Sequence, residues 1–337
     1  MTTLSTRALN RALLARQLYL ERSDISIPPA LDRIAGIQNQ YAPAGYVSLW
    51  SRLVGFERGH LTDALMRGDV VQGTTIRSTI HLVTPEFFHI SNAAVREERT
   101  AWWFRATGRN DQVEMQRVAK DIEAALGEGP QPRNLLMKEL GIDSATWNGA
   151  TNFVDLIRVP PSGTWEKRRA DIYGLLPARP IDAEFARQTL VERYLNAFGP
   201  ASATDAATFL GLPPSRVKPL MVAYPTYSGP EGIELFDVEG GLMPDPQTPV
   251  PPRFLPVWDA ALLVHARRTQ ILPERYRSRI FNTKTPHSHN TFLIDGQVAG
   301  TWKFQDGDIA INPFEPLDRR AALELDEERA RLRAFHA

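Results

Sequence analysis

The sequence predicts an α+β chain in which one pattern, a set of helices closed by a β-hairpin, is written three times before a different one takes over. Three observations carry this. Apolar residues at helical spacing recur in three successive groups. Each group ends in short runs of strand-forming residues separated by a turn signal. Six prolines between Pro244 and Pro256 then mark a linker or an extended crossing strand, beyond which short strand signals replace helices. Helices closed by a hairpin are the sequence form of a winged helix. The expected order is therefore three tandem winged-helix domains over 1–84, 85–177 and 178–243, followed over 244–337 by the linker, a small C-terminal β domain and a terminal helix.

In the first unit, Leu9, Leu13 and Leu18 predict a helix over Arg7 to Tyr19. After a turn from Ser23 to Pro29, Leu31, Ile34, Ala35 and Ile37 place an apolar stripe on a second helix, with Pro28 and Pro29 in its first turn. Helical runs at Tyr46 to Leu53 and Leu61 to Met66 follow. Val70 to Ile76 and Ile80 to Thr84 then form the hairpin, broken at Arg77 and Ser78. The second unit reads as helices over Pro85 to Phe104, Gln112 to Leu126, Pro132 to Leu140 and Ser144 to Ile157. Its wing is Ile157 to Pro160 and Trp165 to Leu175, turning at Pro160-Pro161-Ser162-Gly163. In the third, Asp182 caps a helix to Phe198, short helices follow at Thr204 to Leu210 and Ser215 to Ala223, and Tyr227 to Phe236 turns at Gly229 to Gly232. The last region has strand signals at Thr291 to Ile294, Gln297 to Lys303 and Asp308 to Ile311. Asp295-Gly296 and Asp306-Gly307 separate them, and a charged amphipathic helix over Leu317 to Phe335 closes the chain.

Composition excludes more than it assigns. The 337 residues contain no cysteine, which removes disulfides, thiol nucleophiles and Cys-based zinc sites. With 39 basic and 39 acidic residues the formal charge is zero, unlike a polycation that coats nucleic acid. Basic residues are unevenly placed, seven against two acidic ones from Arg253 to Lys284, and only six of them are lysines, none before Lys120. The arginine bias suits phosphate contacts and equally suits a GC-rich genome. No stretch approaches the length of a membrane span, and Met1 to Thr6 lacks an apolar signal core, so a cytoplasmic protein without membrane partners is expected. Walker, Gly-x-Gly-x-x-Gly and His-Glu-x-x-His motifs are absent, and so is any apparent helix-hairpin-helix, so neither cofactor nor metal is expected. His287 and His289 would share a strand face without further ligands in view. His265, Trp258 and Trp302 read as packing residues.

Gln38 and Gln40 are the one compact pair of amides at an element boundary. On a helix, residues two apart point about 200° from each other, whereas on an extended stretch they share a side. Pro43 pushes Ala42 out of the α region and sets the helix boundary near Tyr41, so the helix ends inside the motif. The pair could then hold one water. It could also be two solvated amides at a helix end.

Five segments, in order, resemble the AlkZ and YcaQ family of bacterial alkyl-DNA glycosylases. They are Gln38-Asn39-Gln40 followed by Tyr46-Val47-Ser48-Leu49-Trp50-Ser51-Arg52-Leu53, then Arg77-Ser78-Thr79-Ile80-His81-Leu82-Val83. Farther on come Phe254-Leu255-Pro256-Val257-Trp258-Asp259-Ala260-Ala261-Leu262-Leu263 and Asp295-Gly296-Gln297-Val298-Ala299-Gly300-Thr301-Trp302. The likeness runs from about Leu9 to Phe335 and implies tandem winged helices with a small β domain. It implies an enzyme that removes N-alkylated purines from double-stranded DNA, including some interstrand crosslinks, and acts as a nucleoid-associated monomer. It also implies that Gln38 and Gln40 sit at the water that attacks C1′. Asn39 departs from the apolar residue usual between them. The expected DNA-contacting set is Tyr41, Trp50, Arg52, Arg77, Thr79 and His81, the last equally readable as a hydrogen-bonded structural histidine, with the wing cluster Lys167, Arg168 and Arg169 on the same concave side.

The chemistry agrees with so sparse a motif. Glycosidic hydrolysis normally uses two carboxylates, one to protonate the leaving group. A purine alkylated at N7 or N3 is already a cation and needs a positioned water more than an acid. A monofunctional enzyme is expected, because a lyase needs an amine and no lysine precedes Lys120. The rival reading is a non-catalytic tandem winged-helix DNA-binding protein such as a transcription regulator.

Overall fold

The computed structural model describes residues 2–263, 269–281 and 288–337. His265 and His287 lie outside the described residues; His289 is exposed. The architecture is mixed α and β, with three sheets among helices.

The first hairpin, Val71–Thr74 with Ile80–Val83, is the middle of a larger sheet. Ile37–Gln38 pairs antiparallel with Ile80–Val83 and puts Gln38 opposite His81. On the other side Val71–Thr74 pairs with Leu156–Arg158, then come Ile172–Leu175 and Gln131–Pro132. Six strands thus form one sheet, and its ladder crosses from the first expected unit into the second. An isolated two-stranded wing leaves two open edges, and each hairpin here covers one edge of the other. The expected helix from Ser144 stops at Ala150 because Asn152 turns its amide back onto the carbonyls of Asn148 and Gly149, at 3.0 and 3.2 Å.

The third hairpin, Thr226–Ser228 with Glu234–Phe236, gains a strand that sequence patterning did not suggest. Thr2–Thr3 runs parallel to Thr226–Ser228. The helix Ala183–Phe198 starts where predicted, with the Asp182 carboxylate accepting from the Phe185 amide at 2.8 Å. It packs along Pro85–Thr107, where Phe87, Leu190, Tyr194 and Phe198 are buried in one core. Arg16 and Asp237, both buried, meet at 2.6 and 2.7 Å and tie the first helix, Thr6–Arg16, to this unit. Buried ion pairs of this kind add little net stability, but removing one partner is costly, so they fix how elements meet.

The C-terminal sheet is four antiparallel strands: Arg253–Leu255, Thr291–Ile294, Gln297–Gln305 and Asp308–Pro313. Arg253–Leu255 is the extended part of the proline-rich stretch. Both Asp-Gly turns have positive φ at each residue, as a type I′ hairpin turn demands. Trp302 is interior, its indole N–H donating to the Leu255 carbonyl at 3.0 Å, which bears out its reading as a packing residue. The terminal helix, Arg319–His336, carries Phe335 to Trp50, Phe56 and Trp165, at ring distances of 5.9, 6.0 and 5.5 Å. Among the described residues, no helix is long and apolar enough to cross a membrane.

Candidate active site

The glutamine pair is placed by a break that comes earlier than expected. The helix Ile27–Arg33 ends there, and Ala35 and Gly36 follow in the left-handed region at φ 58° and 79°. A Cβ at Gly36 would stand 2.7 Å from the Val83 side chain, so only glycine fits. The chain leaves this crank extended. Ile37 and Gln38 join the sheet, and the Asn39 amide donates to the Ile80 carbonyl at 2.7 Å. Pro43 lies in the first turn of the next helix, Ala42–Arg52, instead of closing the previous one.

On this extended stretch alternate residues face opposite ways. Asn39 points inward: its Nδ2 donates to Gln72 Oε1 at 2.9 Å and its Oδ1 accepts from the Gly45 amide at 3.0 Å. Gln72 passes the link on, donating to the Gly163 carbonyl at 2.8 Å. Asn39 is thus a satisfied interior amide, which an apolar residue there would not be.

Gln38 and Gln40 face away from that interior. Arg77 donates to Gln38 Oε1 at 3.2 Å, and the Ile80 amide donates to Gln40 Oε1 at 3.3 Å. Neither side-chain NH₂ pairs with a group among the described residues. Arg77, at φ 54°, is itself held: Nη1 donates to the Phe209 carbonyl at 2.5 Å and the guanidinium lies 5.3 Å from the Phe209 ring. Its Nη2 also reaches His81 Nε2 at 3.3 Å. That nitrogen must be the acceptor, so the His81 proton sits on Nδ1, which donates to the Thr79 carbonyl at 3.0 Å. Burial, then the Arg77 charge, push the His81 pKa down to about 3, and burial lowers that of Arg77 to about 10. At neutral pH the histidine is neutral and the arginine charged. Among the described residues no carboxylate bonds to Gln38, Gln40, Arg77 or His81.

A fold, a buried Gln38 beside an exposed Gln40 and a cation behind them do not name a chemistry. The family model for AlkZ-like DNA glycosylases matches residues 31–335. The chain belongs to that family. The fold agrees: the Streptomyces sahachiroi DNA glycosylase AlkZ superposes with a TM-score of 0.84 at 18% identity, over 100% of this chain and 98% of that one. No curated protein matches the sequence. The chain is thus a DNA glycosylase, and DNA is its substrate.

Within this AlkZ-like glycosylase the other expected contact residues divide. Tyr41 is exposed, and its hydroxyl accepts from Arg168 at 3.0 Å. This brings the exposed cluster Lys167, Arg168 and Arg169 to the residue next to Gln40. Arg169 is occupied by Asp171 at 2.8 Å. Thr79 is half-buried, its hydroxyl donating to the Ile76 carbonyl at 3.3 Å.

Trp50 and Arg52 are corrections. Arg52 is 1% exposed, pairs with Asp259 at 3.1 Å, donates to the Gln17 and Ser48 carbonyls at 3.0 Å each and lies over the Tyr19 ring at 4.1 Å. A guanidinium with all those partners is an interior brace that DNA cannot reach. Trp50 is buried beneath Arg22, whose guanidinium is 4.7 Å from its ring, and beside Phe335. His81, 2% exposed, is likewise no groove residue; it positions Arg77. Sequence reasoning missed Gln72 and Phe209. Gln72, a lone amide inside a strand run, carried a signal; Phe209 acts through its backbone and ring and carried none.

Proposed function

We propose that this glycosylase hydrolyses the N-glycosidic bond of cationic, N-alkylated purines in duplex DNA, with water positioned by Gln38 and Gln40. The observation that carries the reading is what the site can donate: two amides, a fixed guanidinium and a histidine whose pKa of about 3 makes it no acid at neutral pH. A neutral base leaves as an anion and needs a proton from such a group. An N7- or N3-alkylpurine takes the bonding electron pair from C1′ and becomes neutral. The water oxygen bonds to C1′, and the proton passes to solvent. Arg77 fixes the Gln38 carbonyl on one lone pair and leaves the other for a water hydrogen, while the amide NH₂ groups, without a partner among the described residues, remain donors.

Interstrand crosslinks through N7 fit the same rule, since each linked purine is a cation. We assign DNA positioning to Tyr41 and the Lys167-Arg168-Arg169 loop of the second hairpin, and read the chain as three helix-and-hairpin winged units around one concave side. The monofunctional assignment rests on the absence of lysine before Lys120, and Lys167, next in sequence to the Arg168 that donates to Tyr41, is the lysine that tests it.

The test uses duplexes carrying N7-methylguanine or uracil. Excision of N7-methylguanine far faster than of uracil is expected, with strand breaks at the lesion only after alkali. Comparable rates on uracil would overturn the two-amide mechanism, and alkali-independent breaks lost in Lys167→Ala would make the enzyme a lyase. Release of no base from any duplex would return the chain to the non-catalytic DNA-binding reading.

A further inference from the structure

A second site lies beyond the turn that holds Gln38. Arg77 and Ser78 are consecutive left-handed residues at φ 54° and 56°. The first reaches Gln38, and the second lines a cavity of about 400 Å³ between the first hairpin and the helices of the second unit. None of the steps above uses this cavity. Arg99, Arg133 and Arg158 line it, and no aspartate or glutamate does.

The three cations are under-satisfied. Among the described residues none has a carboxylate within 4.0 Å, and the Nε of each is buried without an acceptor. Arg158, 9% exposed, donates only to the hydroxyls of Thr74 and Tyr173, at 3.0 and 3.4 Å. Arg99 donates to the Thr75 carbonyl at 3.2 Å and to Asn92 Oδ1 at 2.8 Å. The Arg133 guanidinium has no acceptor among the described residues and rests 5.6 Å from the ring of Trp147. Burial, and for each a neighbouring arginine, lowers the pKa of Arg99 to about 10 and also lowers that of Arg158; a guanidinium is not deprotonated in a protein at neutral pH. Asp155 acts on Arg99 only at longer range, without an ion pair. Buried positive charge without a paired anion is costly, and a planar fork of N–H donors matches a phosphate.

The walls supply the other half of the chemistry. Trp102, Trp103 and Trp147 line the same cavity, and Trp102 is 58% exposed. Large aromatics beside cations form the usual platform for a nucleobase attached to its phosphate. The volume is within the range of small-molecule sites.

We propose that this cavity binds a nucleoside phosphate, its phosphate held by Arg99, Arg133 and Arg158 and its base stacked on Trp102. Two sources share that chemistry: a nucleotide of the DNA strand, led there past the Arg77-Ser78 turn, and a free mononucleotide. The site goes beyond the excision reading and is tested without any lesion, so the failure of either leaves the other standing.

The full chain is titrated with dAMP at low salt by calorimetry and tryptophan fluorescence, with deoxyadenosine and inorganic phosphate as controls. Binding of dAMP is expected to exceed either control by roughly tenfold or more, and Arg133→Ala and Trp102→Ala are each expected to weaken it by roughly tenfold. Both side chains are partly solvent-exposed, and Arg133→Lys, which keeps the charge without the fork, should be intermediate. Competition between dAMP and undamaged duplex assigns the site to the strand; simultaneous binding assigns it to a free nucleotide. No measurable dAMP binding, affinity equal to that of inorganic phosphate, or indifference to both alanine variants in circular-dichroism-normal protein overturns the proposal.

Discussion

Replacing Gln38 and Gln40 by alanine, singly and together, separates catalysis from architecture. In the free protein each side chain makes one hydrogen bond through its carbonyl, to Arg77 and to the Ile80 amide; Gln38 is 9% exposed and Gln40 is exposed. Losing the neutral bond from the Ile80 amide should cost about 0.5–1.5 kcal/mol of stability, and losing the bond from the charged Arg77 about 1.5–3 kcal/mol. Water orientation of the usual effectiveness is worth roughly 10²–10⁴ in rate, or about 2.7–5.5 kcal/mol of barrier. The two effects are read separately, the first by unfolding and the second by excision in protein that is still folded. Single-turnover excision of N7-methylguanine should fall by that factor in each single variant, with duplex affinity nearly unchanged because no charge is removed. If both amides hold one water, the double variant should be little worse than the poorer single one. The reasoning is refuted if excision survives in all three variants, or if the double variant loses the full product of the single effects, which would mean that the amides act on different atoms.

Further outcomes follow from the neighbours of the pair. Asn39→Leu strands Gln72 Oε1 and the Gly45 amide, so thermal or denaturant unfolding should report a loss of roughly 2–5 kcal/mol; a neutral result would show that the inward amide is dispensable. Arg168→Ala should reduce the salt slope of duplex binding by about 0.9, whereas Arg52→Ala should leave the slope alone and destabilise by about 3–5 kcal/mol through the uncompensated Asp259. The pH–rate profile should show no histidine inflection between pH 5 and 8, since His81 titrates near 3. Folding stability has the opposite sensitivity. Unfolded His81 and His336 take up protons near pH 6.5, while burial holds their folded pKa values at about 3 and about 4, so stability is full above pH 6.5 and is lost as pH falls toward those values. A urea titration across pH 7 to 4 checks the sign.

What was legible in the sequence was local. Asp-Gly turns and the Asp182 cap are set by neighbouring residues and stand where patterning put them; the helices follow in the expected order, but the one from Ser144 ends at Ala150 and the one before Gln38 at Arg33. The glutamine stretch was harder, because Leu31, Ile34 and Ile37 keep helical spacing while the last of them is paired with Leu82, on a strand far ahead in the chain. Apolar periodicity reports burial without saying which element provides it. Arg52 failed for a related reason. A charge in the sequence has no visible partner, and the one that neutralises it is 207 residues away. Distance along the chain is also no guide to distance in space: the second hairpin brings Arg168, the neighbour of Lys167, to Tyr41.

The same fold explains why a polar residue can occupy the middle of the glutamine motif. Asn39 binds Gln72, Gln72 binds the carbonyl of Gly163, and Gly163, at φ 74°, donates back to the Lys167 carbonyl at 2.8 Å. A Cβ at Gly163 would approach both ends of the Gln72 amide to 3.1 Å, so the turn and the amide are fitted to each other. From that turn the chain carries Arg168 to Tyr41, two residues beyond Asn39. The polar chain therefore leaves the glutamine strand and returns to it through the basic loop. An apolar residue at position 39 could fill the space but could not transmit the position of one hairpin to the other. In this glycosylase the residues assigned to water and those assigned to phosphate are held in register by one line of hydrogen bonds that begins between the two glutamines.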